Sequence, residues 1–133
     1  MNGAAGRAAL FYFAVVFAGG FVLGTMRVFL LIPAFGPLRA VLIELPFMLL
    51  LSWLTCGWAM RRFAVRRQKA ALVMGAAAFV FLMAAELALA RFGFGQSVGE
   101  FLRGLITSAG AVGLAGQLAF ALFPVFRLAM ERR

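Results

Sequence analysis

Four stretches of this chain are almost free of polar side chains, and short polar or basic segments separate them. They run from about Ala8 to Ile32, Leu38 to Met60, Ala70 to Phe92 and Leu105 to Phe126. Each is close to the ~20 residues that a helix needs to cross ~30 Å of hydrocarbon. A spanning β-strand would alternate apolar and polar residues over ~10 positions, and these runs do not. The pattern predicts an all-α integral membrane four-helix bundle, a single transmembrane domain over residues 1–133.

The connections carry their own markers. Pro33-Ala-Phe-Gly36-Pro37 reads as a tight turn, with Pro37 in the first turn of the next helix, where its missing N–H costs nothing. Arg61 to Lys69 reads as a short basic link. Ser97-Val-Gly-Glu100 is a capping-box pattern, so a short helix is expected over about 98–103. Phe94, Val98, Phe101 and Leu102 fall on one face of it, which suits the membrane interface. Arg7 before an apolar run invites a signal-peptide reading, but the run exceeds the ~7–15 residues of such a segment. It is expected to remain as the first span.

Composition agrees with lipid as the solvent. The chain is 65% hydrophobic and 13% charged, against roughly a quarter charged in soluble domains. Its mean hydropathy is +1.05. The net charge of +9 lies mostly between or beside the apolar runs, so anionic lipid headgroups are the expected partner rather than nucleic acid. Arg61, Arg62, Arg66, Arg67 and Lys69 are the headgroup candidates. With Arg7, Arg127, Arg132 and Arg133 they outweigh Arg39, Arg91 and Arg103 at the opposite ends of the runs. The positive-inside rule then predicts a multi-pass protein with both termini and the central link in the cytoplasm. The loops near Gly36 and Gln96 face out.

Glu44 stands inside an apolar run, two residues before Pro46. It has company at its depth. Counting 1.5 Å per residue from the outer ends of the first three runs, Arg27, Glu44 and Glu86 each lie roughly 9 Å inside. An unpaired charge near the membrane centre costs roughly 2.5–3.5 kcal/mol, so pairing is expected. The predicted site is an intramembrane network of Arg27, Glu44 and Glu86, capped by Arg39 or Arg91 reaching down along their stems. Pro46 removes a backbone hydrogen bond and frees the Leu42 carbonyl, an added acceptor near Glu44. Such a network fixes helix register in its plainest role, and serves as an ion, proton or substrate site in its functional one.

Small residues suggest where helices approach closely. Gly20-Phe-Val-Leu-Gly24 lies in the first run, and Gly110, Gly113 and Gly116 in the fourth. Packing within the bundle is the expected use. Gln117 is expected to bond across helices, and Ser52, Thr55, Thr107 and Ser108 to their own backbones. The lone Cys56 cannot form an intrachain disulfide and reads as a packing residue. There is no histidine, no Ser/His/Asp set, no metal cluster and no phosphate loop, so the expected role is non-enzymatic, with no cofactor.

Length and span number resemble the small multidrug resistance exporters, but those carry a working glutamate in the first helix, where this chain has Arg27 and no acid. Gly19-Gly20-Phe-Val-Leu-Gly24 is superficially similar to a motif of the small fluoride channels, with altered spacing and without their pore residues. The chain as a whole more closely resembles a set of uncharacterised four-span bacterial inner-membrane proteins. The resembling residues are Gly24-Thr-Met-Arg-Val28, Glu44-Leu-Pro-Phe-Met48, Ser52-Trp53 and Ala84-Ala-Glu-Leu87. That resemblance implies the fold and transfers no activity. The expected function is an accessory or scaffold subunit that packs against a membrane-protein partner or against itself. The alternative is a small oligomeric transporter or channel built on Arg27, Glu44 and Glu86. A lipid-modifying enzyme with a glutamate base is the weakest of the three.

Overall fold

A computed structural model describes residues 3–131, so Arg132 and Arg133 of the basic end lie outside the described residues. The described chain is all helical, with no strand. Helix α1 (Gly3–Met26) passes through a π turn (Arg27–Leu31) into α2 (Ile32–Phe35). After Gly36 come α3 (Pro37–Arg62) and α4 (Gln68–Ala88), the latter ending in a second π turn (Leu89–Gly93). A short α5 (Val98–Leu105) precedes α6 (Ser108–Glu131). Four helical rods, Gly3–Phe35, Pro37–Arg62, Gln68–Gly93 and Ser108–Met130, are long and apolar enough to cross a membrane.

The rods pack in the cyclic order α1, α3, α6, α4. Residue pairs fix their directions. Leu45 lies by Gly116, Trp53 by Phe123 and Gly57 by Arg127, so α3 and α6 run parallel. Phe11 stacks on Trp58 and Gly20 faces Met48, so α1 and α3 run antiparallel. The short link between α3 and α4 therefore crosses a diagonal. It begins with a Schellman turn: the Val65 N–H bonds the Met60 carbonyl at 2.9 Å and the Ala64 N–H bonds the Arg61 carbonyl at 3.4 Å. Ala64 takes the left-handed conformation (φ 56°) that glycine usually supplies there.

Burial is uneven along the bundle axis. The core residues Ala8, Tyr12, Val16, Cys56, Met60, Met74, Ala78, Phe120 and Leu128 all lie toward the end that holds the chain start and the 63–67 link. Close approach is possible there because Gly75 has no Cβ; one would collide with the Ala121 carbonyl of α6. The same lack of bulk lets Arg127 lie across Gly57. Toward the Gly36 end the helices carry mostly exposed or half-buried residues. The bundle is thus tight at its basic end and open at the other, and the open half holds the internal charges.

Candidate functional site

Arg27 owes its position to Pro33. Proline offers no N–H, and its ring crowds the carbonyl four residues back, so the regular ladder cannot continue. The helix widens instead: the Ile32 N–H reaches back five residues to the Arg27 carbonyl. Arg27 heads this π turn, and its Nε donates to Glu44 Oε1 of α3 at 2.6 Å. Glu44 is 12% exposed and Arg27 31%, so the acid is the more enclosed partner. The pair clasps the antiparallel α1–α3 seam. The hydrogen bond of Arg27 goes to Glu44 and not to the carbonyl that Pro46 frees.

Glu86 finds a different partner. Gln117 Nε2 of α6 donates to Glu86 Oε2 of α4 at 2.6 Å, across the α4–α6 seam. No ion pair joins Glu86 to Arg27. The buried Gln117 Oε1 has no hydrogen-bond partner among the described residues. Arg39 and Arg91 are exposed and pair with no carboxylate among the described residues; Arg91 leans over the Phe92 ring, 5.9 Å from its centroid. The charges at the common level therefore form two clasps on opposite seams, one ionic and one amide–carboxylate. Arg61, Arg62, Arg66, Arg67 and Lys69 all lie exposed around the 63–67 link.

A second polar group sits in the tight half, and Pro124 creates it. Within α6 this proline leaves the Phe120 carbonyl without its usual donor. The fully buried Tyr12 of α1 supplies the missing donor: its hydroxyl donates to that carbonyl at 2.6 Å, and its ring stacks on Phe120 at 4.1 Å. Cys56 lies beside the same hydroxyl and also approaches Met60 Sδ at 3.7 Å. Next to this cluster Arg127 Nε donates to the Trp53 carbonyl at 2.9 Å, with its guanidinium 4.4 Å from the Trp53 ring centroid. A charge assigned to the basic surface thus serves as a packing element between α3 and α6.

Sequence reasoning missed Tyr12 and this use of Arg127, and left the partner of Gln117 unnamed. Pro124 was the available signal: in an apolar helix, the carbonyl it frees asks for a donor, and the chain has a single tyrosine. Chemically, the two clasps neutralise or satisfy charge at helix contacts. Among the described residues no three His, Cys, Asp or Glu side chains come together. Arg27, Glu44 and Glu86 line neither of two apolar grooves, of about 360 and 310 Å³. Comparison with known proteins finds no matching family model, no matching curated protein and no matching solved structure.

Proposed function

We propose that the chain is a multi-pass protein of the bacterial inner membrane that acts as a non-enzymatic accessory or scaffold subunit, packing its flanks against a partner membrane protein. One observation carries this reading. The internal charges are spent on helix–helix clasps, Arg27 on Glu44 and Glu86 on Gln117, while the apolar flanks stay uncovered. Only 6% of the most apolar stretch of the first span, and 11% of the fourth, is buried within one copy. Such flanks suit lipid and neighbouring helices. The basic end, with Arg61, Arg62, Arg66, Arg67 and Lys69, faces the cytoplasm and its anionic headgroups in this reading, in line with the positive-inside rule. Isolation in mild detergent with mass spectrometry of co-purifying chains tests it. A membrane partner at fixed stoichiometry is expected; a lone homo-oligomer would count against it.

One observation favours a second reading, a small oligomeric transporter or channel. Gln117 Oε1 is a buried acceptor without a donor among the described residues, next to the Glu86 carboxylate in the open half of the bundle. Acceptors so placed suit a passing cation or proton. In proteoliposomes, Glu86→Gln would then abolish flux while leaving assembly intact. Flux absent from the wild type sinks this reading.

A further inference from the structure

Two carboxylates share the open half of the bundle, and their surroundings differ. Glu44 receives a guanidinium N–H from Arg27, so its charge has a counter-charge at hand. Glu86 receives an N–H from the neutral amide of Gln117 and meets no cation within ion-pair distance among the described residues. The other atom of that amide, Gln117 Oε1, is buried and finds no donor among the described residues. An ionised Glu86 offers it nothing, because a carboxylate only accepts. The seam then holds a carboxylate without a counter-charge beside an acceptor without a donor, and each is costly away from water. A single proton relieves both. Placed on Glu86 Oε1, it makes that oxygen a donor to Gln117 Oε1, while Gln117 Nε2 goes on donating to Glu86 Oε2. The two amide atoms share one carbon, and the terminal torsion of glutamine is broad, so a turn of the amide suffices.

We infer that Glu86 and Gln117 form a proton-binding site, a carboxylic acid and an amide closed face to face by two hydrogen bonds across the α4–α6 seam. The inference rests on the transporter reading above and deepens it, naming the proton as the ion held. A metal ion asks for more oxygen ligands than this pair supplies, and no three His, Cys, Asp or Glu side chains gather among the described residues. The charged groups on the neighbouring elements are otherwise engaged or remote. In the first span the charged residue at this level is Arg27, and its Nε is given to Glu44 of α3. Helix α6 carries no charged residue from Ser108 to Phe126. Helix α5 packs on α6 and on the π turn after α4. Its Glu100 accepts from the Ser97 N–H at 2.8 Å, and its Arg103 is exposed in the last turn. On the fourth-helix rod itself, Lys69 lies at the far end and Arg91 leans over the Phe92 ring. Proton occupancy thus sets how α4 and α6 are joined: by two hydrogen bonds in the acid form and by one in the carboxylate form.

The test is infrared difference spectroscopy of the full chain in phosphatidylcholine vesicles, stepped from alkaline to acid pH. A protonated carboxyl shows its own C=O stretch, apart from the carboxylate bands. Glu86→Gln should remove one such band, and Glu44→Gln should leave that band in place. Gln117→Met, of similar volume, should move the band to higher frequency, because the acid loses its donor and its acceptor together. Gln117→Asn, which draws the amide back, should move it the same way and serves if Gln117→Met does not fold. In the wild type a glutamine amide band should change at the same pH midpoint as the Glu86 band, and its failure to do so overturns the pairing without any variant. An unmoved band in the Gln117 variants also overturns it, as does a spectrum from which Glu86→Gln removes nothing. Proton flux across the same vesicles separates the two claims. The Glu86 band without flux sinks the transporter reading and leaves the proton site standing. Flux in a chain without that band overturns this inference and leaves the transporter reading with another route.

Discussion

A double-mutant cycle on Arg27 and Glu44 probes the ionic clasp most sharply. Glu44→Gln leaves the arginine charge in the open half of the bundle without its partner. On insertion scales an unpaired arginine at mid-membrane costs roughly 2.5–3.5 kcal/mol. Arg27 is 31% exposed and has a long stem, and in the proposed membrane setting it lies off centre and relieves part of this by reaching outward. A cost of about 2 kcal/mol is expected for Glu44→Gln. Arg27→Gln strands the shorter, more enclosed acid and should cost at least as much. Removing both leaves two neutral amides able to bond each other. The double variant should therefore be more stable than Glu44→Gln alone, with a coupling of about 1–2 kcal/mol. Equilibrium unfolding in mixed detergent micelles, followed by circular dichroism, measures all four proteins. Additivity within about 0.5 kcal/mol would show that the contact contributes nothing and would refute the clasp.

The remaining predictions concern the packed half and α5. Tyr12→Phe should cost about 1–2 kcal/mol, because it orphans the Phe120 carbonyl, but far less in a Pro124→Ala background, where a backbone N–H returns; equal costs in both backgrounds would contradict the assigned role. Gly75→Ala drives a methyl into the Ala121 carbonyl and should destabilise by about 3 kcal/mol, read by the same unfolding assay; a loss below about 0.5 kcal/mol would mean the helices do not meet there. Ala64→Gly relieves the left-handed strain in the Schellman turn and should stabilise by about 1 kcal/mol, whereas a loss would place that strain elsewhere. The Ser97 backbone N–H, and then its side chain, hold the Glu100 carboxyl below its ordinary range. A depressed carboxyl lends its support above the unfolded value and loses it as pH falls through the folded one. Protection factors for hydrogen exchange in the first turn of α5 should thus be high at neutral pH and fall as pH drops below the ordinary carboxyl range; protection that does not change with acid would exclude the box.

The long apolar runs disclosed the helices because length and hydropathy alone decide whether a helix suits a bilayer. Ser97 and Glu100 disclosed the start of α5 because a capping box is local. Depth counting put Arg27 and Glu44 at one level, and they meet. It put Glu86 there too, but depth carries no angle around the helix axis, and α4 turns Glu86 toward α6 and Gln117. Tyr12 escaped notice because its meaning depends on a carbonyl 108 residues away in sequence. Arg127 looked like a terminal surface charge, and only the parallel packing of α3 and α6 brings it over Gly57 and onto Trp53. Both involve contacts between helices whose neighbours the sequence pattern did not specify.

Cysteine labelling in intact cells addresses the whole account most directly. In a Cys56→Ala background, single cysteines at Gln68 and Gln96 mark the two ends of the bundle. A membrane-impermeant maleimide should label position 96 from outside and position 68 only after lysis. Labelling of position 68 in intact cells, or of both positions in a chain free in the aqueous fraction, would contradict it.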